Sequence, residues 1–243
     1  MLQPMAGGSH RREVSLLWQG EQVGGPVDFS TAWAGLAEPW RLCFELGWQA
    51  HRAGSLGVGA VVLDPSGTVV ATGRNRSAER AAPAGQLAGT YLAHAEVNAL
   101  VGLDAGGYED HVLYTSLEPC LLCTAALIHC HVGEVRYAAT DHLWHGVQRL
   151  PELNEHVARR WPTRVGPLTG PFAAWGAVMP LLWTLDRSPT GVVIAAHQRY
   201  APGVVALARH LHATRPSWLE EDSVVDALDG FGAALAGADG YQL

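Results

Sequence analysis

Four residues carry the chemistry of this chain: His94, Glu96, Cys120 and Cys123. Zinc takes thiolate sulfur and imidazole nitrogen in a tetrahedron, and a catalytic site leaves the fourth position to water. Two cysteines separated by two residues can bite one ion from a single turn of chain, and a histidine from elsewhere completes a three-ligand set. Glu96 lies two residues after His94, within reach of a bound water but spare as a ligand. The expectation is one zinc ion held by His94, Cys120 and Cys123, with Glu96 as the acid/base beside it. Three plainer readings compete. The cysteines could simply pack in a helix; the metal could be structural, which would need a fourth protein ligand; Glu96 could only favour the positive end of a helix.

The elements that must position these residues follow from pattern. A helix is expected over 38–53, with Pro39 at its start and Leu42, Cys43, Leu46 and Ala50 at helical spacing. The apolar run 58–63 reads as a buried strand. Asp64-Pro65-Ser66-Gly67 is turn chemistry, and 69–72 returns as the second strand of a hairpin ending at Gly73-Arg74-Asn75. A loop over 76–90 leads to a helix expected near 92–103, carrying His94 and Glu96 in its first turn. Strand 111–117 then feeds a helix opened by Pro119 and reaching about His131, with Cys120 and Cys123 at its positive end, where thiolates are favoured. Gly133 stops that helix, and strand 134–139 follows. Further helices are expected at 151–161, after Pro171, at 191–213 and at 217–236, with a short strand near Arg164-Val165. The first 27 residues read as a loose arm with a short strand at Val14–Trp18.

The text His94-Ala95-Glu96-Val97-Asn98-Ala99-Leu100 with Thr115-Ser116-Leu117-Glu118-Pro119-Cys120-Leu121-Leu122-Cys123 resembles the cytidine deaminase superfamily. It is closest to the branch of deoxycytidylate, guanine and tRNA adenosine deaminases. Gly73-Arg74-Asn75-Arg76 and Val135-Arg136-Tyr137-Ala138 add to the likeness, which covers roughly residues 38–165. It implies a three-layer α/β/α fold with a five-stranded mixed sheet, continued here by a C-terminal helical extension. The domain boundaries are then an arm over 1–27, a zinc deaminase domain over 28–168 and the extension over 169–243. It also implies hydrolytic deamination with release of ammonia, a zinc cofactor and a homodimer.

Substrate contacts are expected from Ala95 and Pro119, which flank the ligands, and from Asn75, since an Asn in the Gly-x-Asn context touches the substrate in the resembled family. The plain alternative for Asn75 is a turn residue bonding its own backbone. Asp141 and Trp144 follow strand 134–139. If that strand runs parallel to 111–117, their C-terminal ends share one sheet edge, where ligands bind in open α/β sheets. Trp144 could stack on a base or cover the core. Asn98 reads as a solvent-facing or capping amide, and His129 and His131 as helix-end histidines. The extension's Ala174, Val178, Leu181, Leu182 and Leu185 read as core or interface, with a pocket lid as the alternative.

Composition bounds the partners. The net charge is −7 and all 16 basic residues are Arg. No basic run exceeds Arg11-Arg12 or Arg159-Arg160, which argues against a polynucleotide substrate. No segment approaches the ~20 apolar residues of a membrane span, and no apolar core of signal-peptide length opens the chain. Cys43 and Cys130 read as buried free thiols. A cytoplasmic location is expected. The leading expectation is deamination of a free nucleobase, nucleoside or related small amino-heterocycle. The alternatives are a tRNA or single-stranded nucleic-acid deaminase and a non-catalytic zinc-bound interaction module.

Overall fold

The computed structural model describes residues 29–236. Two helices, α1 (Phe29–Gly35) and α2 (Glu38–Arg52), precede a hairpin of β1 (Gly59–Leu63) and β2 (Val69–Arg74). Then come α3 (Ala95–Leu100), β3 (Val112–Thr115), α4 (Leu121–His129), β4 (Glu134–Tyr137), α5 (Glu155–Arg159) and β5 (Thr163–Val165). The extension is α6 (Pro171–Arg187), α7 (Val192–Tyr200), α8 (Pro202–Thr214) and α9 (Val224–Ala236). Short 3₁₀ segments occupy His142–Trp144, Val147–Glu152 and Ser217–Glu220.

The sheet order is β2-β1-β3-β4-β5. β1 is antiparallel to β2 and β3, while β4 is parallel to β3 and β5. The sheet is therefore mixed and five-stranded, as the resemblance implies. In register, Thr115 of β3 lies beside Tyr137 of β4, so the C-terminal ends of these strands share an edge.

β1 explains the three layers. All five of its residues are buried, and successive side chains point to opposite faces. Ala60 and Val62 join Ala95, Ala99, Leu100 and Leu127 of α3 and α4. Val61 and Leu63 join Phe44 and Trp48 of α2 and Trp175, Val178 and Leu182 of α6. The extension is thus packed into one core with the sheet. Trp48 meets Trp175 at 5.5 Å, and Phe231 of α9 meets Trp175 at 5.1 Å. Ala174, Val178, Leu181, Leu182 and Leu185 are all buried there, the core-packing outcome expected of them.

Several expected elements differ. The helix over 191–213 is two helices, because Pro202 has no N–H and biases Ala201 out of the helical region (φ −143°, ψ 63°). The 217–236 segment begins as a 3₁₀ turn, and 151–161 shortens to α5 behind Asn154, whose side chain accepts from the His156 and Val157 N–H groups. α3 starts three residues later than the expected 92, so His94 is its N-cap in extended conformation and not part of its first turn. α1 has no counterpart in the sequence reading. Cys43 is buried as expected, but Cys130 is only half-buried at the end of α4. The strand expected at Val14–Trp18 and the arm lie outside the described residues. No helix among the described residues is long and apolar enough to cross a membrane.

Candidate metal centre

Close packing of α3 against β2 begins the site. A Cβ on Gly73 would lie 2.3 Å from the Ala95 carbonyl oxygen, so only glycine lets the helix start approach the strand this closely. Pro119 and Cys120 close the short link from β3 to α4, and Cys120 is the N-cap of α4. The Thr124 hydroxyl donates to the Pro119 carbonyl at 3.2 Å and fastens that turn.

The three expected ligands meet. His94 Nδ1 lies 3.6 Å from Cys120 Sγ and 3.4 Å from Cys123 Sγ, and the two sulfurs are 3.6 Å apart. Ligands on one tetrahedral zinc, at about 2.3 Å for sulfur and about 2.0–2.1 Å for nitrogen, would be separated by about 3.6–3.8 Å. The donor types and their spacing therefore fit zinc. Among the described residues, these three form the one group of His, Cys, Asp or Glu donors close enough to hold an ion. No fourth ligand joins that group among the described residues.

Glu96 sits against this group. Its Oε2 is 3.3 Å from Cys123 Sγ, and the Thr115 hydroxyl donates to Oε1 at 3.4 Å. Glu96 is 4% exposed, and burial followed by the nearby Cys120 sulfur raises its carboxyl above the usual range. A buried carboxylate against these three donors is placed to act as a general acid/base on a group bound there. The hydrogen bond from the Cys123 thiol, and then the His94 ring, hold Cys120 down at about 4 against its burial. Cys123 is raised by that same bond and by burial. Thr115 belongs to the Thr115–Cys123 motif, and only the packing of β3 against the start of α3 reveals its contact with Glu96.

The expected substrate contacts divide. Ala95 is buried as the first residue of α3, where its N–H has no intrahelical partner, and Pro119 is buried in the zinc turn. Asn75 is 3% exposed; its Oδ1 accepts from the Ser77 N–H at 3.0 Å and hydroxyl at 2.8 Å, the turn geometry weighed as its plain alternative. Its amide nitrogen makes no hydrogen bond to the described residues. Asn98 is neither solvent-facing nor a cap. It is buried, accepts from the Leu87 N–H at 2.7 Å, and donates to the Arg74 and Leu87 carbonyls at 3.0 and 3.2 Å. It anchors the 76–90 loop, which Glu79 closes further by pairing with Arg74 and Arg76.

Asp141 stands across the sheet edge. It is 9% exposed, its Oδ1 accepts from the Leu143 N–H at 3.0 Å, and burial raises its carboxyl to about 7. Trp144, 37% exposed, makes no ring pair with the described residues. Two supports of this loop were not legible in sequence. Glu118 Oε2 accepts from the Asp141 N–H at 3.3 Å, while its Oε1 is held by Arg164 at 3.0 Å and Gln148 at 3.1 Å. From the extension, His197 turns Nε2 to within 3.8 Å of Asp141 Oδ1. Its Nδ1 donates to the Val193 carbonyl at 3.0 Å, which leaves Nε2 as the atom facing Asp141. Tyr200 stacks on His142 at 5.8 Å and bonds His145 at 3.3 Å. Nothing in the spacing of His197 or Tyr200 marked them.

Residues 37–139 match the family described as the cytidine and deoxycytidylate deaminase zinc-binding region. The likeness to the cytidine deaminase-like superfamily is carried by that segment, which is less than half of the chain. It is 35% identical over 100 residues to the tRNA(Ile)-lysidine synthase of Deinococcus radiodurans, covering 40% of this chain and 16% of that protein. It is 30% identical over 107 residues to the tRNA-specific adenosine deaminase of Haemophilus influenzae, covering 42% of this chain and 57% of that one. The chain thus spans less than two thirds of the length of either curated relative. Among solved structures it is similar to a guanine deaminase from Bacillus subtilis, at 28% identity and TM-score 0.37, over 44% of this chain and 66% of that one. A guanine deaminase from Nitrosomonas europaea is similar at 21% identity and TM-score 0.41, over 78% of this chain and 94% of that one.

Proposed function

We propose that this chain is a zinc-dependent aminohydrolase that deaminates a free nucleobase, nucleoside or related small amino-heterocycle. The observation that carries the reading is a buried Glu96 carboxylate touching a three-donor group whose spacing fits zinc. Zinc held by His94, Cys120 and Cys123 would supply the Lewis acidity that activates water at neutral pH.

The chain's own residues do the rest. Thr115 fixes one Glu96 oxygen, which leaves the other on the ligand side. Glu96 takes a proton from the attacking water and delivers it to the ring nitrogen beside the attacked carbon. It then takes the second proton from the added hydroxyl and passes it to the departing amine. Water in and ammonia out replace the amino group by an oxo group. The Asn75 amide, the Ala95 N–H, Pro119, Asp141 and Trp144 are proposed to bind and orient the ring. The buried surroundings of Glu96 exclude bulk water from the proton path.

An ammonia-release screen of zinc-loaded protein across bases, nucleosides, nucleotides and pterins tests this reading. Turnover of a free base or nucleoside is expected. Full zinc occupancy with no release across the panel would favour a non-catalytic zinc module. A second reading, a tRNA deaminase, draws on the tRNA-specific relative named above. The net charge of −7 opposes it. Salt-dependent tRNA binding in a gel shift, followed by inosine formation, would establish it over the small-molecule reading.

A homodimer is also proposed. Tyr91, Leu92 and Leu121 are exposed apolar residues beside His94 and Cys120, and sedimentation at micromolar concentration should give the dimer mass. Four cysteines without a disulfide fit a cytoplasmic setting.

A further inference from the structure

A cavity lies at the far end of α4. The helix is nine residues long, so its C-terminal end lies about 13 Å along the axis from the zinc turn. There a cavity of about 520 Å³ opens, lined by Glu109, His131, His156, Arg159, Arg160 and Trp161 among others. Its floor is fixed by backbone: the Gly133 N–H donates to the Tyr108 carbonyl at 3.1 Å, and the Gly133 carbonyl accepts from the Thr163 N–H at 2.9 Å. A Cβ on Gly133 would lie 1.7 Å from the Glu109 carbonyl oxygen, so glycine is needed for the chains to meet there.

Charge is gathered in this cavity against the balance of the chain. Arg159 and Arg160 form one of the two longest basic runs in a protein of net charge −7. Neither makes an ion pair or a side-chain hydrogen bond with the described residues, although Arg160 is near enough to feel the Glu109 carboxylate. Glu109 is the one carboxylate of the lining, and His131 Nδ1 already engages it at 3.1 Å. Two guanidiniums and two imidazoles are thus set around a space with one committed carboxylate. A helix C-terminus favours cations, which accounts for arginines at the end of α5. It does not account for a cavity that also holds histidines and an indole.

We propose that this cavity binds a nucleoside monophosphate. Guanidinium forks match phosphate oxygens in geometry and charge. Trp161 is partly exposed and offers a stacking surface for a base, already backed by the Arg164 guanidinium at 5.7 Å. A volume of about 520 Å³ suits a small ligand of this size, whereas inorganic phosphate alone would leave most of it empty. The site is separate from the zinc centre and does not depend on the reaction proposed there.

Calorimetric titration of the full chain with AMP, GMP, adenosine and inorganic phosphate tests the proposal. Saturable binding of a nucleotide is expected, with adenosine and phosphate each weaker by about tenfold or more. Arg159→Ala combined with Arg160→Ala should weaken the nucleotide by about tenfold or more, with the melting temperature unchanged because both side chains meet solvent. Trp161→Leu should weaken AMP and leave phosphate as it was. The proposal is overturned by absence of saturation at about 10 mM nucleotide, or by equal affinity in the double arginine variant. Phosphate binding as tightly as AMP would overturn the base contact, and tRNA binding lost in the arginine variant without nucleotide binding would replace the small ligand by a polynucleotide.

Discussion

The zinc wall and the Asp141 wall of the centre are held by different means. His94, Glu96, Cys120 and Cys123 come from the starts of α3 and α4, two helices on one face of the sheet that share a single apolar cluster. Their contacts are with one another and with Thr115 on β3. Asp141 sits on a loop with little regular structure. Its supports arrive from the zinc turn through Glu118, from β5 through Arg164, and from α7 through His197. The first wall is complete within 30 residues of sequence, from His94 to Cys123. The second is incomplete without the extension. On the function proposed above, chemistry and substrate selection would fall on parts of the chain that can be altered separately.

The largest effect should come from the first wall. Glu96→Ala is expected to lower turnover by about 10²–10⁴-fold, the usual weight of a general acid/base, while metal analysis still finds zinc at the wild-type level. Turnover near wild type would remove Glu96 from the proton path. Next comes the strut between the walls. Arg164 and Glu118 are both buried, with side chains 8% and 6% exposed. Removing one partner of a buried pair costs about 3–5 kcal/mol, because the other charge is stranded. Arg164→Ala should show that loss in urea unfolding, and Glu118→Gln combined with Arg164→Met should recover part of it. A loss below about 1 kcal/mol would mean that the Asp141 loop stands without this strut.

These two walls also mark what the sequence could disclose. The ligands, Glu96 and the hairpin before them were legible because their spacing is local and their residue types are chemically restrictive. The parallel pairing of β3 and β4 was legible because a helix separates them. Asn98 was misread as a surface or capping amide, since nothing nearby announces that the 76–90 loop folds back onto it. Glu118, Arg164 and His197 escaped for the same reason: their partners lie 23 to 56 positions away, and only tertiary packing brings them together. The break of the 191–213 helix was written in Pro202, and it decides where α7 can present His197.

Acid should weaken the side of the molecule that carries the extension. His51 stacks on Trp48 at 5.2 Å, in the layer that α6 and α9 cover, and burial lowers its pKa to about 4. The folded state binds this proton less tightly than the unfolded chain, whose histidine titrates near 6.5. The stability it contributes is therefore complete above about pH 6.5 and is lost as pH falls toward 4. The loss is at most about 3 kcal/mol, and less to the extent that the ring meets solvent. His51→Gln should flatten that part of the unfolding profile; an unchanged slope would assign the acid sensitivity to other groups.

The smallest effect tests the comparison most directly. His197 is 4% exposed and faces Asp141 without touching the zinc ligands. If the extension only fills space, His197→Ala and His197→Gln should differ in stability and leave the substrate constants alone. If it sets the Asp141 carboxylate, His197→Ala should raise KM by about tenfold, or about 1.4 kcal/mol. In that case kcat and zinc content should change little. Gln keeps a polar group near the position of Nε2 and should recover most of the KM, whereas His197→Leu, which restores bulk without polarity, should not. A KM rise that Leu repairs as well as Gln would return the second wall to simple packing. A fall in kcat with zinc intact would instead tie His197 to the proton path of Glu96 and dissolve the division between the two walls.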